Sequence, residues 1–224
     1  MKLENIIENL KELKREFFTK EEYSPVLLDS LINKLEQEYK ENLIIKKPSD
    51  KTRLSAIKKV IDNNSAMSVI HGYSLLDGKI VFTDSYQLYV INDKWLPFPV
   101  TCGYDNEEEV KELAEKHNLD IISGVYPNVK NVIPDESKKE FSFKVNLKEV
   151  ISAYKTTKQE NGKRVYNLTV DDKTSVNLDL NYLNNLIKIM RISDDFELEY
   201  YGEYRPLIYR NNGEIGLILP IKIY

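Results

Sequence analysis

The order strand, helix, strands, helix, strands can be read twice along this chain, and that recurrence restricts its possible folds more than any single residue does. In the first pass "NLIIKK" has the composition of a strand. "PSDKTRLSAIKKVIDNN" follows as a helix that turns Leu54, Ile57, Val60 and Ile61 inward. Alternating segments at about 68–76, 79–84, 86–92 and 96–101 predict strands, punctuated by Asp77-Gly78 and by the polar knot Thr83-Asp84-Ser85. A helix over 106–117 is expected to start from Asp105, with Glu108 completing a capping box. An extended stretch, "LDIISGVYPNVKNVIPDES", carries Pro127 and Pro134.

The second pass has the same grammar. "EFSFKVN" predicts a strand, and Asn146 caps a helix in which Glu149 completes another capping box. "RVYNLTVDDKTSVNLDL" predicts a hairpin turning at Asp171-Asp172, Asn181 is placed to cap "YLNNLIKIMR", and strands are expected at 195–202, 205–210 and 215–223. The recurrence is one of pattern, without strong residue identity between the halves. It predicts an α+β chain with two related units, divided near residues 136–139.

Residues 1–41 read differently. Leu3, Ile6, Ile7, Leu10, Leu13 and Phe17 share one helical face, and Ser24-Pro25 opens a second helix with Leu28, Leu31, Ile32, Leu35 and Tyr39 on its apolar side. The pair is either a helical hairpin packed on its own body or an arm that docks on a partner.

Composition matters mainly for what it excludes. With 224 residues, 42% hydrophobic, the chain can bury a sizeable core. The charged start "MKLENIIENLKELKRE" does not resemble a signal peptide, and no apolar run reaches the length of a membrane span, so a cytoplasmic location is expected. Cys102 is the only cysteine, and His71 and His117 are the only histidines, which leaves metal and histidine-based catalytic sites few members. No cofactor or metal is expected. A net charge of −4 argues against a protein that coats nucleic acid everywhere, but leaves room for a local basic surface.

Two kinds of chemistry deserve weighing. The Thr83-Asp84-Ser85 knot holds a hydroxyl beside a carboxylate, but an activated serine needs a base and a group that orients the base. Neither a GxSxG elbow nor an adjacent histidine supplies them, so the knot reads as a turn in which Asp84 bonds backbone amides. His71 reads as a strand-end residue and His117 as the end of a helix, where its charge suits the dipole. The acidic run "EEEVKELAEKH" reads as a solvated helix face. The basic residues fall into sets on three expected helices: Lys51, Arg53, Lys58 and Lys59; Lys148, Lys155 and Lys158; Lys188 and Arg191. Were those helices to line one surface, they would meet phosphates without reading bases.

Three stretches, in order, resemble the bacterial sliding clamp, the beta subunit of DNA polymerase III. "DGKIVFTDSYQLYVI" is similar to that family's strand pair with its "ATDxxRLA" turn, although Gln87 stands where the family usually has arginine. "GVYPNVKNVIPDE" is similar to its "GxFPDYxxVIPxE" segment. "LNYLNNLIKIM" and "RPLIYRNNGEIGLILPIKI" are similar to its "FNxxYLxDxL" helix and terminal "PxxIxx…YxxMPxRL".

The resemblance covers about residues 42–224 and implies two clamp-type domains, 42–137 and 138–224, like the family's middle and last domains, after the helical region 1–41. It implies a DNA-binding processivity platform in replication or repair, with no enzymatic activity, that recruits partner proteins by short peptides. The peptide slot would take Ile70, Thr83, Ser85, Tyr86, Gln87 and Leu88 from the first unit, Pro134 from the link, and Leu217, Leu219 and Pro220 from the last strand. Six such domains close a ring, so two per chain would need a homotrimer. The rival reading is a protein–protein adaptor that keeps the fold and the slot but does not encircle DNA.

Overall fold

In the computed structural model, the residues described are 49–63, 67–159, 163–171 and 174–221. The two helices expected before residue 42, the strand expected in "NLIIKK", and the tips at 172–173 and 222–224 lie outside them. Helix α1, Asp50–Asp62, starts from Ser49, whose side chain accepts from the Thr52 amide, and buries Ala56, Ile57, Val60 and Ile61. Arg53 takes the inward place expected of Leu54, which is only half-buried.

The strands that follow are β1 Ser74–Leu76, β2 Lys79–Thr83, β3 Gln87–Ile91 and the short β4 Val100–Thr101. The strand expected over 68–76 is shortened to β1, and a 3₁₀ turn, Ser68–Ile70, takes its start, with the Val69 carbonyl accepting from the Thr101 hydroxyl. The one expected at 96–101 is reduced to its last two residues, because Pro97 and Pro99 cannot donate to a ladder. Helix α2 is Glu107–His117. The residue before it is Asn106, not Asp105, and it does not cap the helix with its side chain. Its Oδ1 accepts from the Gly103 amide and its Nδ2 donates to the Leu75 carbonyl, tying α2 to β1.

The second half supplies β6 Phe141–Val145, α3 Leu147–Thr156, the hairpin β7 Val165–Thr169 and β8 Ser175–Asp179, and α4 Leu180–Ile189. Strands β9 Phe196–Tyr200, β10 Leu207–Asn211 and β11 Glu214–Ile218 follow, while β5, Ile121–Ile122, pairs in parallel with β4. Asn146 caps α3 as expected, accepting from the Lys148 and Glu149 amides. Helix α4 starts two residues earlier than expected: Asp179, not Asn181, is its cap and accepts from the Asn181 amide.

The main sheet has the order β1-β2-β3-β11-β10-β9-β6, antiparallel throughout. It crosses from the first half of the sequence to the second at β3–β11, where Leu88 pairs with Leu217 and Tyr89 with Gly216. Alternation gives this sheet two apolar faces. On one, Phe82 and Tyr89 stack at 5.2 Å, and α1 and α4 pack over β2 and β11. A Cβ on Gly216 would lie 2.2 Å from Leu186 Cδ1, so only glycine lets α4 approach β11 this closely. On the other face Val81, Leu88, Val90, Ile208 and Leu217 form a cluster with Ile70, Tyr126 and Val129. Helices α1, α4 and α3 lie in a row, α1 against α4 and α4 against α3, while α2 packs on β1 and β4. Among the described residues, no helix is long and apolar enough to cross a membrane.

Candidate functional site

The polar knot between β2 and β3 is a turn whose donors and acceptors are used within the fold. Asp84 Oδ1 accepts from the amides of Tyr86 and Gln87 at 2.9 and 2.8 Å. Its Oδ2 accepts from Gln87 Nε2 at 2.7 Å and from Asn63 Nδ2 at 3.1 Å. The Thr83 hydroxyl donates to the Gln87 carbonyl at 2.6 Å and accepts from the Ser85 amide. Ser85 takes φ 76°, the left-handed conformation the turn requires. No histidine takes part in these bonds, and the Asp84 carboxylate spends them shaping the turn.

Gln87 departs from its expected role. Its side chain is 1% exposed and faces the helices, where Oε1 accepts from Tyr89 Oη at 3.0 Å and from Asn185 Nδ2 at 3.3 Å. Period two explains this: Gln87 and Tyr89 share one face of β3, Leu88 and Val90 the other. The Gln87 side chain therefore cannot line a slot on the Leu88 side. Burial, with Asp84 close by, pushes the Tyr89 hydroxyl well above its ordinary pKa, keeping it a neutral donor in this network.

Four of the other expected slot residues converge. Ile70, Leu88 and Leu217 belong to one buried cluster, with Leu219 packed against its edge. Leu217 crosses to Leu88 in register, and the Leu219 amide donates to the Tyr86 carbonyl. Thr83 is buried, Ser85 and Tyr86 are exposed, and Pro134, Leu219 and Pro220 are half-buried, so an apolar floor carries an accessible rim. Tyr86, 54% exposed, lies ring against ring with Tyr182 of α4 at 6.1 Å. One support of this rim escaped the sequence reading. Arg210 on β10 donates to the Pro134 carbonyl at 3.0 Å and pairs with the buried Glu199, which also accepts from Tyr201 Oη at 2.7 Å. Strand pairing sets that network, and local sequence carries no signal for it.

The basic residues divide. Lys51, Lys58 and Lys59 are exposed on α1, at positions i, i+7 and i+8 of one face. Lys148 and Lys155 are exposed on α3, with Lys158 just beyond it. Arg53 is different: it is 6% exposed, donates through Nε to the Ile189 carbonyl at 2.7 Å and pairs with Asp93 at 2.6 Å. It fastens α1 to the end of α4, so it does not belong to a basic surface. Arg191 is held by Asp50 at 2.5 Å.

Between α1 and α4 lies a cleft of about 270 Å³ lined by Lys51, Thr52, Ser55, Lys59, Asn185 and Lys188. Burial, and next the Lys59 charge, lowers the pKa of Lys188. A like-charge pair beside hydroxyl and amide donors is a favourable setting for an anion. Thr52, Ser55 and Asn185 were missed by a reading that followed charge alone. Their spacing from Lys51, Lys59 and Lys188 at one to four residues was the available signal.

No family model and no curated protein matches this sequence. Solved structures do. The DNA polymerase sliding clamp of Bacillus subtilis superposes with a TM-score of 0.50 at 15% identity, over 79% of this chain and 63% of that one. The DnaN sliding clamp (DNA polymerase III subunit beta) of Bartonella birtlesii, bound to griselimycin, gives 0.54 at 14%, over 77% and 64%. The Helicobacter pylori beta clamp bound to a DNA ligase peptide gives 0.53 at 13%, over 76% and 62%. The fold is that of a bacterial sliding clamp. This clamp-like chain spans less than two thirds of the length of those clamps.

Proposed function

We propose that this protein is a clamp-type binding platform in DNA replication or repair, not an enzyme, with two clamp-type units at 42–137 and 138–224. The β3–β11 pairing carries the reading. It makes one sheet with lysine-bearing helices on one face and, on the other, an apolar floor beneath the rim of Tyr86, Pro134, Leu219 and Pro220. The helix row meets the backbone of duplex DNA through Lys51, Lys58, Lys59, Lys148, Lys155, Lys158 and Lys188, by charge and without base readout. The rim takes short peptides of partner proteins, as the Helicobacter pylori clamp carries one from DNA ligase.

The experiment is a pair of titrations on one set of variants. A peptide carrying glutamine followed by a Leu or Phe anchor is expected to bind the wild type, to be lost in Leu219→Asp and to be unaffected by Lys58→Glu. A short duplex is expected to bind weakly, without sequence preference and with steep salt dependence, and to be lost on reversing Lys58, Lys59 and Lys155 to glutamate. Peptide binding indifferent to Leu219 overturns the slot, and duplex binding that survives high salt or prefers a sequence overturns the backbone reading.

A second reading, an adaptor that does not encircle DNA, is favoured by the withdrawal of Arg53 and Arg191 from the basic face into pairs with Asp93 and Asp50. Mass in solution separates the two. A homotrimer supports a ring, and a monomer supports the adaptor.

A further inference from the structure

A second recess opens at another edge of the apolar cluster. It is a cavity of about 210 Å³ between the β1–β2 turn, the first turn of α2 and the segment 126–130. Its floor is Leu76, Val81, Tyr126 and Val129, all members of the cluster or packed on it. The volume falls below the roughly 300–1,000 Å³ of sites for drug-sized ligands and suits one side chain.

Its rim is acidic. Asp77, Asp105 and Glu109 stand around the opening with a single cation, Lys130, whose Nζ lies 2.9 Å from Asp77 Oδ1. Lys130 and Asp77 are 53 residues apart, so the rim already draws an ammonium from a distant segment. Among the described residues, Asp105 and Glu109 make no salt bridge; the Asp105 charge also acts on Lys130, and the carboxylates of both line the opening, where a second cation can meet them. Tyr104, 75% exposed, adds an aromatic face at the same edge.

We propose that this recess is a separate docking site for a segment of another protein that presents one leucine-sized side chain flanked by lysine or arginine. The apolar side chain fills the recess, and its basic neighbours meet Asp105 and Glu109. The site does not depend on the slot at Leu219, because no residue lining it belongs to that slot. Complementary charge selects the partner, and the buried anchor supplies most of the affinity.

The test uses the full chain labelled for NMR and three blocked heptapeptides with the centres Lys-Leu-Lys, Glu-Leu-Glu and Lys-Ala-Lys. The Lys-Leu-Lys peptide is expected to bind weakly and to shift amides at 75–77, 103–106 and 128–130, while the other two bind markedly less. Neutralising Asp105→Asn and Glu109→Gln is expected to weaken binding by about two- to fivefold per carboxylate, the range of an exposed ion pair. Both side chains are exposed, so the fold is not at risk. Glu112→Gln, on α2 outside the recess, should leave binding unchanged. The proposal is overturned by no binding, by equal binding of the Glu-Leu-Glu or the Lys-Ala-Lys peptide, by indifference to the double neutralisation, or by shifts that map elsewhere. Shifts of the same amides on dilution without peptide also overturn it, since a second copy of the chain would then cover the recess.

Discussion

Replacing Asp84 with asparagine keeps the shape of the side chain and changes what one of its atoms offers. Oδ1 can go on accepting from the Tyr86 and Gln87 amides. The new Nδ2, however, faces Gln87 Nε2 and Asn63 Nδ2, two donors that Oδ2 now satisfies at 2.7 and 3.1 Å. Two charge-assisted bonds at about 1.5–3 kcal/mol each are at stake. Part is recoverable, because the amides of Asn63 and Gln87 can turn over. Turning Gln87 costs its contact with Asn185, which needs an acceptor at that point. The expected loss is about 2–4 kcal/mol, or roughly 5–15 °C in melting temperature for a folded unit of this size.

The assay is urea unfolding followed by circular dichroism, with a lowered midpoint and an unchanged slope. Adding Gln87→Glu should restore part of the loss, since a carboxylate at 87 accepts from the new amide, from Tyr89 and from Asn185. A midpoint within about 0.5 kcal/mol of the wild type would refute the four-donor account of Asp84. A hydrolytic or transfer activity that vanished in Asp84→Asn with the midpoint unmoved would refute the binding-platform reading.

Arg53→Met should destabilise by about 2–3 kcal/mol in the same assay, less than the ~3–5 kcal/mol of a fully enclosed pair because Asp93 can rehydrate; a neutral effect would return Arg53 to the surface. Gly216→Ala should cost about 1–3 kcal/mol and speed amide exchange in α4, since Leu186 must move; unchanged stability would mean that α4 does not sit on β11. Lys188 should titrate below the ordinary lysine range. With its folded pKa beneath its unfolded value, its penalty is present in full at neutral pH, and stability recovers as pH rises from the folded toward the unfolded pKa. A bound phosphate opposes that shift, so duplex affinity should fall as pH climbs through this range. NMR of the Lys188 side chain, with and without Lys59→Met, checks the cause, and an ordinary titration in both would exclude it.

Alternation and turn chemistry made most of the strands legible, and the Asp84 turn with them, because both are local. Asn146 was read correctly for the same reason: its two acceptor bonds go to the next turn of its own helix. The failures share one cause, tertiary demand on a polar side chain. Asp105 was expected to cap α2, but the residue before the helix is Asn106, and its side chain goes to the Gly103 amide and the Leu75 carbonyl instead. Arg53 would be a surface cation, but a free carbonyl at the end of α4 and the Asp93 carboxylate hold it inside. Gln87 matched an alignment position, and the pleat sent its side chain the other way. No periodicity records where another segment leaves a free acceptor.

Strand β3 is where the two sides of the molecule are separated by single residues. Gln87 and Tyr89 belong to the helix side and reach Asn185, which also lines the lysine cleft. Leu88 and Val90 belong to the cluster side and form the floor under the rim. Because Asp84, Thr83 and Gln87 spend their polar atoms inside the fold, what the turn offers a partner is shape, an aromatic face at Tyr86 and the apolar edge of Leu219. Such a surface favours a hydrophobic anchor over a polar substrate. The same pleat that denied Gln87 to the slot thus sets the proposed phosphate contacts on one face of the sheet and the proposed peptide contacts on the other, and variants on one side can test one proposal without touching the other.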